Sequence, residues 1–356
     1  MSETRISDAL IVAGGAGTRL RPLTDHLPKP LLPFCGEPFL VGVIRRLAAA
    51  GIERVHLVIG ADAAPFDVLR PSAADAGVTL EVVPEPEPLD TAGGVRSVAA
   101  RFDRPVLVLN GDILTDVDYR AVASAHVEAG VDVTIVLVEV EDTSSFGVAV
   151  RDGTRVVAFV EKPPPGTLPD QRGVNAGTYV LDPRVFDRYP PGRLSFERVV
   201  FPELLEHGGS ILGVPWGGVW ADLGTPERYR DGHRMALDGA LAWPSVDEVP
   251  ADGGGRRVAA TATVAPAATL HGPCLVLPGA TVATGAVVGP YAILGRDAHV
   301  GAGAEVAGAI LHDGVHIGSG VVARDLIAGR GAVIEPGARL DDAIVPAGAH
   351  IVAETH

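Results

Sequence analysis

Two lysines stand out because arginine supplies nearly all the other positive charge of this chain. Of its 29 basic residues, only Lys29 and Lys162 are lysine, and each is followed directly by proline. Lysine is a compact point charge whereas arginine is a planar fork, so the two are not interchangeable where a phosphate is tightly held. We therefore expect both lysines to act on phosphate groups, with surface lysines in turns as the alternative.

A glycine-rich segment precedes the first of these lysines. It follows a short apolar run and contains, in order, Gly14, Gly15, Gly17, Thr18 and Arg19. Glycines let a backbone approach a ligand and point N–H groups at an anion. The dinucleotide fingerprint would need glycine at Leu20, and the Gly-Lys-Ser/Thr ending of a P-loop is missing. A glycine loop combined with Arg19 and Lys29 instead suits a triphosphate whose charge is spread during transfer.

Two aspartates follow strand-like runs. Asp112 comes after the buried run 106–109, and Asp222 comes after the run 218–220 and before a helix that starts with proline. In open α/β sheets, functional residues lie at the carboxyl ends of the strands. Carboxylate oxygens suit Mg²⁺, which keeps several waters and bridges phosphates. We expect these aspartates to bind Mg²⁺, with a plain Asn-Gly-Asp turn at 110–112 as the alternative.

The elements that must position these residues alternate between strand and helix from residue 8 to about 240. Apolar runs predict strands at 9–12, 55–59, 78–83, 106–109 and 133–140, and helical spacing predicts helices at 38–50, 91–100 and 119–129. This alternation predicts a Rossmann-like α/β fold with a mixed, mostly parallel sheet covered on both faces.

A repeat with a period of six residues lies beyond residue 258. Its aliphatic positions are Val276, Val282, Val288, Leu294, Val300 and Val306, after which the register slips. Neither a helix nor an alternating strand has that period, whereas a parallel β-helix does. We predict a catalytic domain at 1–240, a Pro- and Gly-rich linker at 241–257 and a β-helix at 258–356. Such repeats often assemble side by side, so we also expect a homo-oligomer.

Composition excludes several classes of protein. The net charge of −15 argues against broad nucleic-acid binding. Cys35 and Cys274 are too few to form a disulfide framework or, by themselves, a zinc site. No apolar run approaches the ~18–20 residues of a membrane span, and the first residues show no apolar signal segment. We predict a cytoplasmic protein that does not bind membranes.

The segment from Gly14 to Leu20, followed by Lys29 and Pro30, resembles the signature of the sugar-nucleotide pyrophosphorylases. The resemblance covers the whole chain, because many members carry a carboxyl-terminal left-handed β-helix. It implies that an NTP and a sugar 1-phosphate give an NDP-sugar and pyrophosphate. It also implies that the glycine loop, Arg19 and Lys29 hold the triphosphate, while Asp112 and Asp222 bind Mg²⁺. The phosphate nucleophile is already an anion, so no general base is required.

The segment 85–94 resembles the nucleotide loop of the guanylyltransferase branch of that family. The nucleotide-binding positions implied there are Glu85, Thr91, Ala92 and Gly93. An ionised carboxylate only accepts hydrogen bonds, and guanine offers two adjacent donors, N1–H and N2–H₂. Glu85 therefore favours GTP if it faces the base, and is otherwise a solvated loop charge. Asp90 stands where this branch has glycine, and its carboxylate adds negative charge near the nucleotide or the sugar.

The resemblance places the sugar phosphate against a third group of residues. These are Gly147, Glu161, Lys162, Asn175 and Gly177. Gly147 would pack against the sugar, Glu161 and Asn175 would bond its hydroxyls, and Lys162 would hold its phosphate. A carboxylate beside a lysine at a strand end can bind hydroxyls and phosphate together, and a plain surface ion pair is the alternative.

The leading hypothesis is Mg²⁺-dependent guanylyl transfer to a hexose 1-phosphate, with mannose 1-phosphate as the default. Alternatives are a heptose or cyclitol phosphate acceptor, a glucose-1-phosphate nucleotidyltransferase, and a non-catalytic regulatory subunit on the same fold. Intact Arg19, Lys29, Asp112, Lys162 and Asp222 argue against the subunit. Three histidines of the repeat are candidates for an acetyl-transfer base, but no second site accompanies them and structural roles are preferred: His299, His312 and His316.

Overall fold

The computed structural model describes residues 6–15, 17–168, 170 and 173–353. The chain forms two compact units: unit 1 comprises residues 1–15 and 43–222, and unit 2 comprises residues 16–42 and 223–356. Residues 16–42 therefore pack with the carboxyl-terminal part of the chain, although they lie inside the segment that the sequence assigns to a catalytic domain. The predicted division at 1–240, 241–257 and 258–356 stays a prediction.

The strands before the repeat are short and mostly buried. In chain order they are β1 (Asp8–Val12), β2 (Pro33–Phe34), β3 (Glu37–Pro38), β4 (Arg54–Ile59), β5 (Thr79–Pro84), β6 (Val106–Asn110), β7 (Ile113–Thr115), β8 (Val133–Glu139), β9 (Gly147–Asp152), β10 (Arg155–Glu161), β11 (Gly173–Leu181), β12 (Ile211–Trp216) and β13 (Trp220–Asp222). The α-helices are α1 (Phe39–Ala50), α2 (Arg70–Asp75), α3 (Asp90–Ala99), α4 (Tyr119–Ala129), α5 (Phe201–Glu206), α6 (Pro226–Leu237) and α7 (Pro244–Asp247). Shorter 3₁₀ turns include Thr18–Leu20 and Lys29–Leu31, and Phe196–Val200 is a π-helical turn.

Unit 1 is built on one large mixed sheet. Among the described residues its strand order is β5-β4-β1-β6-β11-β8-β12-β10-β9. The half from β5 to β6 is parallel, as is the pair β8 and β12, whereas β11 runs antiparallel to β6 and β8, and β10 to β9 and β12. The sheet thus holds more antiparallel pairing than the sequence predicts. Strands buried on both faces show the same apolar run in either direction, so the pattern does not reveal orientation.

The predicted elements of unit 1 are present. Each predicted strand and helix lies within one or two residues of an observed one, and α4 has the predicted bounds. Its first turn is capped by Asp118, whose side chain accepts hydrogen bonds from the backbone of Arg120 and Ala121, and Gly130 ends it in the left-handed conformation.

The repeat folds as a parallel β-helix of three sheets. Its strands are β14 (Arg256–Val258), β15 (Thr263–Val264), β16 (Thr269–Leu270), β17 (Cys274–Val276), β18 (Thr281–Val282), β19 (Val287–Val288), β20 (Ala292–Leu294), β21 (His299–Val300), β22 (Glu305–Ala307), β23 (Ile310–Leu311), β24 (His316–Ile317), β25 (Val322–Arg324), β26 (Ile327–Ala328), β27 (Val333–Ile334), β28 (Arg339–Asp341), β29 (Ile344–Val345) and β30 (His350–Ile351). All six aliphatic positions predicted from the period of six lie in its core.

The register slip after Val306 is a shortening of the coil. Cys274 pairs with Ala292, eighteen residues later, whereas Ile293 pairs with Ile310, seventeen residues later. Every later coil keeps the shorter repeat, so the ladders stay continuous although the sequence period changes.

The segment predicted as a linker, 241–257, is packed within unit 2. Trp243 is buried and stacks on Phe39 with ring centroids 5.4 Å apart. Arg257 donates hydrogen bonds to the carbonyls of Val246 and Val249 at 3.2 and 2.7 Å. None of the helices in the described part of the chain is both long and apolar enough to cross a membrane.

Candidate active site

The carboxyl ends of β1 and β6 bring the glycine loop and the first aspartate to the same edge of the sheet. Val12 pairs with Asn110, and the Gly111 N–H donates to the Val12 carbonyl at 2.8 Å. Gly14 and Gly15 follow β1 and are exposed, while Asp112 follows β6 and is half-buried. The sheet therefore places both at the edge where ligands of α/β proteins bind.

The second aspartate reaches the same segment through a separate two-stranded ribbon. β13 pairs antiparallel with β7, and Asp222 lies opposite Ile113, next to Asp112 in sequence. Trp220 holds this ribbon by donating to the Ala176 carbonyl at 2.9 Å and by packing on Phe146. The fold thus places the two aspartates that the sequence predicts as metal ligands close together along the backbone.

The donor set at this ribbon fits a hard cation that keeps most of its water. Asp112 and Asp222 lie at neighbouring backbone positions and offer carboxylate oxygens as ligands. The described ranges contain no group of three or more His, Cys, Asp or Glu residues able to hold a metal. A closed, all-protein metal cage is therefore not what these residues form. Mg²⁺ is commonly bound by one or two carboxylates, waters and substrate phosphates, which matches this arrangement.

Glu85 directly follows β5 and is half-buried, and one of its carboxylate oxygens is a buried hydrogen-bond acceptor. Its Oε1 has no hydrogen-bond partner in the described structure, and it lies directly over Gly94 of α3, where any larger side chain would collide with it. Its other oxygen, Oε2, lies 3.7 Å from the position that a β-carbon on Gly14 would take. Burial raises the pKa of the Glu85 carboxyl, although a hydrogen bond from the Leu89 backbone opposes this. A buried acceptor without a partner is rare in folded proteins and calls for an explanation.

A pocket of about 280 Å³ in unit 1 gathers most of the predicted sugar-phosphate residues. Its lining includes Gly147, Glu161, Lys162 and Asn175, together with Thr91 from the predicted nucleotide group. The sequence placed these residues on four different segments. The pocket supports the prediction that they act together, whereas a simple surface ion pair would need no such cavity.

Lys162 is held in a backbone conformation that few lysines adopt. Its φ is +48°, and its N–H donates to the Phe146 carbonyl at 3.0 Å. Its Nζ lies 3.6 Å from Oε1 of Glu161, whose carboxyl has a raised pKa mainly because it is buried, with Glu197 adding to the effect. Strained residues of this kind concentrate at functional sites.

Asn175 is fixed by two hydrogen bonds within its own strand. Its Nδ2 donates to the Tyr179 hydroxyl at 2.6 Å, and its Oδ1 accepts from the Gly177 N–H at 2.9 Å. The pairing of β11 with β8 shifts register between Asn175 and Tyr179, which forms a bulge. Gly177 is buried in this bulge and orients Asn175, so its place in the structure is behind the pocket wall.

Two hydrogen-bonded pairs at the pocket were not found from the sequence. Asp90, with φ +66°, pairs with Arg198 through Oδ2 and Nη2 at 2.6 Å. Thr91 donates through its hydroxyl to Glu197 at 2.8 Å. Arg198 and Glu197 lie on the π-helical turn, a hundred residues from α3, and only the succession Ser195-Phe-Glu-Arg hints at a capped turn there.

The other two predicted nucleotide positions on α3 bond to protein. The N–H groups of Ala92 and Gly93 both donate to the Leu194 carbonyl, at 2.9 and 3.1 Å. These backbone donors therefore connect α3 to the segment 194–200. The structure places them behind Thr91, and their contact with a nucleotide stays a prediction.

The remaining predicted residues lie in unit 2. Gly17 is left-handed with φ +60°, and a β-carbon there would come within 2.9 Å of the Lys29 β-carbon, so the loop closes tightly on the lysine. Thr24 donates to the Gly17 carbonyl at 2.8 Å. Thr18 and Arg19 are exposed, and Lys29 is half-buried. The fold thus groups Gly17 with Lys29 through a closed turn.

Two family models match this chain. Residues 8–239 match the model described as Nucleotidyl transferase, and residues 270–356 match the GMPPB C-terminal domain. The chain is 38% identical over 319 residues to a mannose-1-phosphate guanylyltransferase of Mycobacterium tuberculosis, covering 88% of this chain and 82% of that protein. It is 35% identical over 240 residues to a probable mannose-1-phosphate guanylyltransferase 2 of Arabidopsis thaliana, of which it spans 65%.

A solved structure resembles part of this fold. The crystal structure of HddC from Yersinia pseudotuberculosis, complexed with GMP-PN, is 28% identical with a TM-score of 0.54. The match covers 65% of this chain and 99% of that chain. A protein with the same core thus binds a guanine nucleotide analogue.

Proposed function

The chain belongs to the nucleotidyl transferase family, and we propose that it transfers the guanylyl group of GTP to mannose 1-phosphate. A phosphate oxygen of the sugar phosphate bonds to the α-phosphorus of GTP, and the bond from that phosphorus to the β-phosphate oxygen breaks. The products are GDP-mannose and pyrophosphate. This activity is that of the mycobacterial relative, which matches over most of both chains.

The observation that carries the choice of GTP is the unsatisfied acceptor Oε1 of Glu85. It is buried against Gly94 beside the glycine loop, without a donor from the described residues. Guanine alone among the common bases offers two adjacent donors, so N1–H and N2–H₂ would satisfy both oxygens of an ionised Glu85. Uracil and thymine offer one donor flanked by acceptors, and an acceptor facing this carboxylate is repelled.

The pocket around Lys162 supplies the acceptor side of the proposal. Its ammonium group attracts the sugar phosphate, while Glu161 and Asn175 accept and donate hydrogen bonds at sugar hydroxyls. The strained backbone of Lys162 and the hydrogen bond from its N–H to the Phe146 carbonyl fix the position of the Lys162 backbone just after β10. Holding the nucleophile in one position lowers the entropic part of the barrier.

Members of this family use a divalent metal, and we propose that Asp112 and Asp222 hold Mg²⁺. When bound, the ion supplies neutralisation of phosphate charge and stabilises the transition state. Arg19 and Lys29 hold the triphosphate and stabilise the departing pyrophosphate. No residue is required to take a proton from the nucleophile, because the sugar phosphate reacts as an anion.

A matrix of substrates tests this proposal. Purified protein is incubated with each of five NTPs and a panel of sugar and cyclitol 1-phosphates, and pyrophosphate release is measured. We expect GTP with mannose 1-phosphate to give the highest kcat/KM. Lys29→Ala and Asp112→Ala should release no pyrophosphate while keeping the wild-type circular dichroism spectrum. Absence of pyrophosphate with every pair would refute the enzyme and leave the non-catalytic subunit.

A second candidate acceptor is favoured by Asp90. Its carboxylate joins those of Glu161 and Glu197 at the pocket, and its pairing with Arg198 fixes both charges there. An acceptor with an additional or displaced hydroxyl, such as a heptose or cyclitol phosphate, would find an extra hydrogen-bond acceptor in this arrangement. The same matrix decides between these acceptors, and also tests glucose 1-phosphate. The cytoplasmic location and the homo-oligomer stay predictions.

A further inference from the structure

One sheet of the β-helix is apolar on both of its faces. Successive residues of a strand point to opposite faces, so where Val276, Leu294 and Leu311 point inward, the residue before each points outward. These outward residues, which we call the outer row, are Leu275, Ile293, Ile310, Ile327 and Ile344. The first four are at most 3% exposed.

In a second sheet the corresponding outward row is mostly polar, although it contains Val333. Its polar residues include Thr281, His299 and His316, which pair in a ladder directly before inward Val282, Val300 and Ile317. A solvent-facing row of a β-helix needs no apolar residues, whereas a covered row must have them. The outer row is therefore built to be covered, and within unit 2 the structure identifies what covers Ile310 and Ile327.

The covering segment is the one that carries Arg19 and Lys29. Leu20, Leu23 and Leu32 form one buried cluster with Ile310, Ile327 and Tyr229. Leu20 directly follows Arg19, and Leu31 and Leu32 follow Lys29 and Pro30. Each cation is thus only one to three residues from a buried leucine.

A polar contact fixes the same segment. The Tyr229 hydroxyl donates to the Pro33 carbonyl and lies 3.3 Å from Nε2 of His312, a buried residue of the β-helix. The Leu32 N–H donates to the Lys29 carbonyl at 3.0 Å, which closes the turn between the lysine and this anchor. Apolar and polar contacts therefore restrain the backbone on both sides of Lys29.

We propose that Ile310 and Ile327 of the outer row, together with Tyr229 of α6, are positioning residues that hold Arg19 and Lys29 in place for the triphosphate. The β-helix is then part of what makes NTP binding productive within a single subunit, independent of any role in assembly. This inference rests on the proposed function, because that proposal assigns Arg19 and Lys29 to the triphosphate.

A matched pair of substitutions in one coil tests the inference. Ile327 and Ile334 lie on consecutive strands, β26 and β27, and are both fully buried. Ile327 faces the cation-bearing segment, whereas Ile334 faces the β-helix core. Ile327→Ala and Ile334→Ala each remove the same atoms, so both should lower Tm.

Only the outward substitution should impair use of the nucleotide. We expect Ile327→Ala to raise KM for GTP by about tenfold or more, since small misplacements of a positioned group cost up to about a hundredfold. KM for mannose 1-phosphate should stay unchanged, because that pocket lies in unit 1. Tyr229→Phe, which deletes one hydroxyl and leaves no cavity, should raise KM for GTP by about fivefold, the worth of an ordinary hydrogen bond.

The possible failures are distinguishable. Equal effects of Ile327→Ala and Ile334→Ala on both KM values would overturn the positioning role, while full activity of Lys29→Ala would overturn the assignment on which it rests. If the alanine variants do not fold, Ile327→Val and Ile334→Val provide the same comparison with a smaller loss of volume. A rise in KM for GTP confined to the outward variant supports the inference in either pair.

Discussion

Replacing Glu85 by glutamine tests base recognition with almost no change in side-chain size. The amide keeps one acceptor but presents N–H₂ in place of the second. Guanine then loses one charge-assisted hydrogen bond, and one of its two N–H donors lies opposite the amide N–H₂ of the glutamine, which is also a donor. Such bonds are worth about 1.5–3 kcal/mol, which at 1.36 kcal/mol per tenfold is a loss of about 10- to 150-fold in kcat/KM for GTP.

The environment of Glu85 places the expected loss in the upper part of that range. Its Oε1 is buried and has no partner in the described structure, so water cannot replace a lost ligand contact easily. The donor and acceptor of glutamine match uracil, whose N3–H lies beside carbonyl oxygens. We therefore expect Glu85→Gln to lower the ratio of kcat/KM for GTP to that for UTP, measured by pyrophosphate release.

The control and the pH profile make this prediction specific. Glu87→Gln removes the same charge from the same loop, but Glu87 is exposed and its substitution should leave the ratio unchanged. Burial raises the pKa of Glu85, and only the ionised form accepts both guanine donors, so the wild-type ratio should fall as the pH falls through that pKa. In Glu85→Gln the ratio should be independent of pH. Equal losses with GTP and UTP would refute the assignment of Glu85 to the base.

Three further outcomes are expected. Asp112→Asn and Asp222→Asn should each raise the Mg²⁺ concentration for half-maximal activity by at least about tenfold, because even substitution of residues that only hydrogen-bond to metal ligands has an effect of this size. An unchanged Mg²⁺ titration would contradict their role as ligands. Asp90→Gly relieves the strain of a left-handed backbone at a non-glycine residue, so Tm should stay the same or rise. The same substitution breaks the ion pair with Arg198, so the preference among acceptor phosphates should change. An unaltered preference across the panel would exclude Asp90 from acceptor choice. Burial lowers the pKa of His233 to about 4 and that of His312 to about 3, below the ordinary 6.5, so stability is full above pH 6.5 and falls as the pH drops towards those values. In His312→Leu, Tm should therefore fall less steeply between pH 6.5 and 4, and an identical slope would show that His312 is not responsible.

The core of the β-helix could be predicted because its inward residues repeat at a fixed spacing. The outer row is visible in the same sequence once two registers are compared: an aliphatic residue precedes the core residue at 276, 294 and 311, but a threonine or histidine does so at 282, 300 and 317. What covers that row cannot be found this way. Leu20 and Leu32 are ordinary apolar residues of a loop, and nothing local links them to Ile310.

The acceptor pocket shows the same limit on sequence reasoning. Lys162 stands out in the sequence as one of only two lysines, and the family resemblance points to Glu161 beside it, whereas Glu197 and Arg198 stand among other charged residues without a distinguishing pattern. Their partners Asp90 and Thr91 lie on α3, and only the three-dimensional fold brings the two segments together. Composition likewise predicted a linker at 241–257, because Pro and Gly indicate breaks in regular structure but carry no information on the packing of Trp243.

The pairing of residues 16–42 with the β-helix has a consequence for biosynthesis. Leu20, Leu23 and Leu32 leave the ribosome early, but Ile310 and Ile327 follow only after most of the chain has been made. At about 5–20 residues per second, these leucines wait some tens of seconds for their partners. During that time these leucines are exposed apolar side chains on a nascent chain, which favours aggregation. The last coils of the β-helix therefore complete the folding of an early segment of the chain.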